Sequence, residues 1–178
     1  LTKEEFQKSK KFKLNIKNIL VTFHPVTLES KTSKKHFQEI LNCIDELKDT
    51  NIIFTKANSD ADGKIINKMI DEYTKKNSYK SICIASLGQL NYLSALKYVD
   101  FVIGNSSSGI SEAPSFKIGT INIGDRQKGR IKAKSVIDCL PIQKEISKVI
   151  KKIYSNKFQK ILKVVKNPYS KKEGYASK

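Results

Sequence analysis

Five or six short apolar runs, separated by polar loops and stretches of helical periodicity, constrain this chain more than any other feature. Asn18-Ile19-Leu20-Val21-Thr22-Phe23, Asn51-Ile52-Ile53-Phe54-Thr55, Tyr79-Lys80-Ser81-Ile82-Cys83-Ile84-Ala85, Tyr98-Val99-Asp100-Phe101-Val102-Ile103 and Thr120-Ile121-Asn122-Ile123 have strand length and read as buried strands. Ser135-Val136-Ile137-Asp138-Cys139 is a sixth, shorter candidate. Between them, spacings of 3 and 4 mark helix faces. Phe37, Ile40, Leu41, Ile44 and Leu47 form one, with Thr32 or Ser33 as caps. Ile65, Ile66, Met69, Ile70 and Tyr73 form a second, and Leu90, Leu93 and Leu96 a third that ends near Tyr98. Ile142, Ile146, Val149, Ile150 and Ile153 mark a fourth, and Phe158, Ile161, Leu162 and Val165 a last one. Strands alternating with helices predict an α/β fold, a doubly wound parallel sheet with right-handed crossovers. Ligands of such sheets bind outside the C-terminal ends of the strands. His24, Asn58, Ser86, the Ser106–Ser108 turn and Arg126 all fall at that edge.

A chain of 178 residues with 39% hydrophobic content can bury one good core. Residues 1–16, Lys-rich with Phe6 and Phe12, read as a linker or short helix. Residues 17–166 form the expected domain and 167–178 a tail. No apolar run approaches the roughly 20 residues of a membrane helix, and the first residues lack a signal-peptide core. A soluble, cytoplasmic protein without membrane contact is expected. The start without Met suggests a piece of something longer.

The formal charge of +17 invites a nucleic-acid reading. Yet Arg126 and Arg130 are the only arginines among 34 basic residues, the lysines are spread along the chain, and neither an RNP-type motif nor zinc-finger spacing occurs. Solvated lysine faces account for the charge, and no nucleic-acid partner is expected. Two arginines close together in so lysine-rich a chain suggest a need for planar, forked donors. Cys43, Cys83 and Cys139 stand apart in apolar contexts, with no Cys-x-x-Cys pair or Cys/His cluster to suggest a metal. They read as free buried thiols.

Gly104-Asn105-Ser106-Ser107-Ser108-Gly109-Ile110-Ser111-Glu112-Ala113-Pro114 reads as a small-residue turn between a strand and a helix start. Small side chains let the backbone approach an anion, and the free N–H groups of a first helical turn attract it. Glu112, one turn along, is placed to accept hydrogen bonds from two ribose hydroxyls. The plainer alternative is a turn that only caps a helix. The same choice applies to Lys56-Ala57-Asn58-Ser59-Asp60-Ala61-Asp62-Gly63, a ligand loop or only a turn and an N-cap.

Taken together, the 104–114 segment, Thr120-Ile121-Asn122-Ile123-Gly124, Asp125-Arg126-Gln127-Lys128-Gly129-Arg130, Leu20-Val21-Thr22-Phe23-His24-Pro25 and the 55–63 loop resemble UDP-N-acetylglucosamine 2-epimerases. The likeness is to the hydrolysing branch of sialic-acid-type biosynthesis and runs from about residue 17 to the end. It implies the C-terminal half of a GT-B-type two-domain enzyme, Rossmann-like, with a UDP-sugar in the cleft between domains and with neither cofactor nor metal. His24 would lie near the diphosphate and sugar, as the one catalytic candidate, and Asn58 near the nucleotide. Ser86 and Leu87 would offer backbone contacts to uracil. Ser106 and Ser107 would hold phosphate, Glu112 the ribose and Arg126 the diphosphate.

The family chemistry eliminates UDP after loss of the C2 proton and adds water to the glycal, releasing N-acetylmannosamine from UDP-N-acetylglucosamine. The resemblance places the main acidic groups in an N-terminal half absent here, so the chain alone is expected to bind UDP weakly without turnover. Gly119, where relatives more often carry Pro, is expected to alter only a loop. The alternatives are a UDP-N,N'-diacetylbacillosamine epimerase of legionaminic acid biosynthesis, a non-catalytic UDP-sugar-binding module and a GT-B glycosyltransferase. Association into a homo-oligomer is left open.

Overall fold

The computed structural model describes residues 1–26, 30–58, 60–85 and 88–170. Its centre is a six-stranded, all-parallel sheet of order β3-β2-β1-β4-β5-β6. The strands are β1 (Lys17–Thr22), β2 (Thr50–Thr55), β3 (Ser81–Ile84), β4 (Phe101–Gly104), β5 (Gly119–Ile123) and β6 (Val136–Cys139). The helices are α1 (Lys3–Lys10), α2 (Ser30–Asp45), α3 (Ala61–Lys76), α4 (Gly88–Leu96), α5 (Ser108–Ser111), α6 (Gln143–Ile153) and α7 (Asn156–Val164). The order is that of a Rossmann-like doubly wound fold, as the alternation of runs predicts. Its reversal falls between β1 and β4, whose register pairs Thr22 with Gly104.

Alternation along the strands divides the core between two faces. Ile19, Val21, Ile52, Phe54, Phe101 and Ile103 join one cluster with the apolar stripes of α2, α3, α6 and α7. Leu20, Ile53 and Val102, the residues in between, join the other with Phe6, Leu14, Ala95, Leu96 and Val99. Both faces are covered, so the strands read as continuous apolar runs rather than alternating ones. Phe6 is fully buried and holds α1 to the second face. A capping box closes that helix: the Thr2 hydroxyl accepts from Glu5 N–H and Glu5 accepts from Thr2 N–H.

Several boundaries differ from the sequence-based expectation. Helix α2 already includes Thr32 and Ser33, which therefore sit in its first turn and do not cap it. Gly119 opens β5 itself, and Ile153 lies 3.2 Å from where a Cβ would stand, so the residue is a packing position, not a loop variation. Cys43 and Cys139 are free and buried, whereas Cys83 is only partly covered. No helix among the described residues is long and apolar enough to cross a membrane.

Candidate functional site

A cleft of about 400 Å³ opens beyond the C-terminal strand ends, beside the reversal of strand order between β1 and β4. Its walls come from several elements at this edge: Thr22 at the end of β1 and His24 after it, Thr55 at the end of β2 and Lys56 after it, Tyr92 from α4, and Ser108 and Glu112 from the turn after β4. The Thr55 hydroxyl donates to that of Thr22 at 2.8 Å across the strand ends. Divergence of neighbouring crossovers is what leaves such a crevice in an open parallel sheet.

Gly104 makes the approach of β4 to β1 possible. Its φ is +144°, and a Cβ there would stand 1.8 Å from the Thr22 carbonyl oxygen. Asn105 follows, almost fully buried. Its side-chain oxygen accepts from His24 N–H at 2.7 Å, and its amide donates to the His24 carbonyl at 2.7 Å. The Asn105 carbonyl in turn accepts from Arg126 Nη1 at 3.1 Å and from Gln127 Nε2 at 2.9 Å. One residue thus ties the loops after β1, β4 and β5.

The serines beyond it form a hydroxyl cluster. Ser106 Oγ and Ser108 Oγ are 2.9 Å apart, Ser108 N–H approaches Ser106 Oγ at 3.4 Å, and Tyr92 OH donates to Ser108 Oγ at 2.8 Å. Ser107 stands at the N-cap position of α5 without a side-chain capping bond. Helix α5 is a single turn, so the anion attraction expected of a helix start reduces here to a few N–H groups and hydroxyls, without an extended dipole. Glu112 follows that turn directly. Burial raises its carboxyl above the usual range, and no neighbouring charge offsets the effect.

The His24 ring is pushed the other way. Burial lowers its pKa below 6.5 and the Arg126 guanidinium adds to the shift, while Asp60 opposes it. Its Nδ1 is buried without a partner among the described residues. The neutral ring is therefore the resting form near neutral pH, and it offers the cleft a hydrogen bond rather than a charge.

His24 and Glu112 line the cleft itself. Ser106 reaches it through Ser108. Arg126, exposed, meets the same turn through the Asn105 carbonyl. Asn58 is exposed on the loop after β2, just beyond the lining residue Lys56. Within that loop Asp60 caps α3, accepting from Gly63 N–H at 2.6 Å, so the plainer reading holds for that residue. Ser86 and Leu87 lie outside the described residues. Sequence reasoning missed Tyr92, which is off the Leu90, Leu93, Leu96 stripe, and gave Asn105 no role of its own. A polar-tipped aromatic in the helix that precedes the motif strand was the available signal for the first.

Comparison with known proteins bears on the family and the fold. The family model described as UDP-N-acetylglucosamine 2-epimerase matches residues 1–177. A curated relative, the GDP/UDP-N,N'-diacetylbacillosamine 2-epimerase (hydrolyzing) of Campylobacter jejuni, is 46% identical over 138 residues, covering 78% of this chain and 36% of its own length. This chain therefore spans little more than a third of that relative. The crystal structure of the Neisseria meningitidis UDP-GlcNAc 2-epimerase bound to UDP-GlcNAc superposes with a TM-score of 0.69 at 15% identity, over 94% of this chain and 44% of that one. The C-terminal domain of a group 1 glycosyltransferase from Francisella tularensis superposes with a TM-score of 0.60 at 16% identity, over 94% of this chain and 89% of that domain. At such identities the two structures establish the fold alone. The matched family model and the 46% identity go further: the chain belongs to the UDP-N-acetylglucosamine 2-epimerase family.

Proposed function

We propose that this chain is the UDP-binding, C-terminal part of a hydrolysing UDP-sugar 2-epimerase of GT-B architecture. The observation that carries the reading is the gathering of His24, the Ser106–Ser108 turn and Glu112 around one cleft at the reversal of strand order. The roles follow from the chemistry of each group. Ser106 and Ser107 donate to phosphate oxygens, Arg126 adds a charge-assisted contact to the diphosphate, and Glu112 accepts from the ribose hydroxyls. Asn58, Ser86 and Leu87 contact the nucleoside.

In the proposed reaction the sugar loses its C2 proton, the bond from C1 to the UDP oxygen breaks, and a glycal and UDP form. Water then adds its oxygen to C1 while a proton returns to C2 on the opposite face, giving a free 2-epimeric sugar. Charge builds on the departing diphosphate, so its ligands stabilise the transition state as well as the bound nucleotide. His24, held by its backbone, serves this step as a hydrogen-bonding group near the leaving oxygen. The acids that move the C2 proton belong to a preceding domain facing this cleft. The cytoplasm, where nucleotide sugars and reduced thiols coexist, is the proposed compartment.

The substrate we place first is UDP-N-acetylglucosamine, with N-acetylmannosamine as product. The 46% identity to the Campylobacter jejuni enzyme favours a second reading, a diacetamido-trideoxy sugar nucleotide. Joining this chain to its N-terminal partner domain and incubating with each UDP-sugar separates the two by the sugar released. Formation of UDP without any free 2-epimeric sugar would overturn the epimerase assignment.

A further inference from the structure

Donor and acceptor accounting in the hydroxyl cluster gives it a direction. Tyr92 OH donates to Ser108 Oγ at 2.8 Å. Ser108 then has its own proton to give, and Ser106 Oγ, 2.9 Å away, is its recipient. Ser106 Oγ also faces Ser108 N–H at 3.4 Å. A hydroxyl offers one proton and two lone pairs, so a Ser106 oxygen that accepts twice keeps its proton free to donate outward.

We propose that Tyr92 is a positioning residue that, through Ser108, sets the Ser106 hydroxyl as a donor toward an anionic phosphate oxygen of the bound nucleotide. The inference rests on the UDP-binding reading above. Tyr92 contributes here because its ring lines the cleft while its hydroxyl is committed to Ser108. Burial raises its pKa to about 12, so the phenol remains a donor throughout the physiological range. Chained hydroxyls polarise one another, and the last one in the chain gains donor strength. Without Tyr92, Ser108 is free to rotate and donate elsewhere, and Ser106 loses its fixed sense.

Titration of this chain with UDP and with uridine tests the idea, since uridine lacks the phosphates. Tyr92→Phe keeps the ring and removes only the donor. It is expected to weaken UDP roughly 3- to 10-fold, the range of one modest hydrogen bond, and to leave uridine unchanged. Ser108→Ala breaks the same chain and should match it, and the double variant should lose no more than either single one. Equal weakening of UDP and uridine, or full UDP affinity in both single variants, would overturn the role assigned to Tyr92. Absence of UDP binding by the unaltered chain would instead remove the nucleotide reading on which it rests.

Discussion

Asn105 holds His24 by its backbone and not by its ring: N–H and carbonyl of the histidine are both taken by one buried amide, each at 2.7 Å, across 81 positions of sequence. This leaves the imidazole free to face the cleft while fixing the peptide that carries it. Asn67 does the same for Ala57 after β2, accepting from its N–H at 2.8 Å and donating to its carbonyl at 3.2 Å. Two strand ends are thus finished by an asparagine that imitates a missing strand neighbour.

Asn105→Ala is expected to lower stability by about 1–3 kcal/mol, because two backbone groups of His24 are left unpaired in a half-buried site. Denaturant midpoints at constant m-value measure it. A wild-type midpoint would show that water replaces the amide without cost. UDP affinity should fall as well, since the side-chain amide that fixes the His24 peptide at the cleft is lost, although the backbone carbonyl that anchors Arg126 and Gln127 remains.

Gly104 and Gly124 both have positive φ, +144° and +68°, but their surroundings differ. A Cβ at Gly104 would enter the Thr22 carbonyl, whereas nothing lies within 4 Å of one at Gly124. Gly104→Ala should therefore cost roughly 3 kcal/mol or more, as β1 and β4 must part. Gly124→Ala should cost only the conformational penalty of about 1–2 kcal/mol. Thermal unfolding of the two variants side by side checks the order; equal losses would contradict the close approach of the strands.

Much of this was legible in the chain. The apolar runs located all six strands within a few residues; β1, β2, β4 and β5 are buried on both faces and leave an unbroken apolar signal, while the edge strands β3 and β6 are only partly buried. The strand-end rule then placed His24 and the serine turn at one edge before any geometry was known. What stayed hidden depended on contacts between distant segments. Phe6 sits in a lysine-rich stretch whose periodicity is too short to announce a buried helix, and its value comes from the face of β1 and β4 it covers. The single-turn length of α5 is set by Pro114 and the 3-10 turn Ala113–Phe116, which interrupt a helix the spacing alone allows. Asn105 looked like one more small polar residue, since its partners are loops 21 to 81 positions away.

Acidification should report on His24. Its folded-state pKa lies below 6.5 through burial first and Arg126 second. Between the folded value and 6.5 the unfolded chain binds more protons, so stability falls as pH drops through 6.5 and levels off below the folded pKa. A diphosphate beside the ring acts oppositely and raises that pKa. UDP binding at about pH 6 should then draw a proton onto His24. Calorimetry in two buffers of different ionisation enthalpy measures the uptake, and His24→Gln should lack it. Identical proton balance in both proteins would place the diphosphate away from His24.

Glu112 offers the clearest separation of binding from folding. Burial raises its carboxyl above the usual 4.5 with nothing to compensate. A raised acid favours the folded state only while protonated: its contribution is present below the unfolded value and is lost as pH rises through the folded one. At neutral pH the ionised group therefore works against the fold, and removing its charge should relieve that. Glu112→Gln is expected to unfold at or above the wild-type temperature. The same change replaces a charged acceptor by a neutral amide, and UDP affinity should drop about tenfold, since hydrogen bonds to ionised groups are roughly twice as strong. If the contact is to ribose, the wild type should also bind UDP better than 2′-deoxy-UDP, and the variant should lose that preference. A variant that is less stable and still discriminates between the two nucleotides would mean that Glu112 supports the turn and not the ligand.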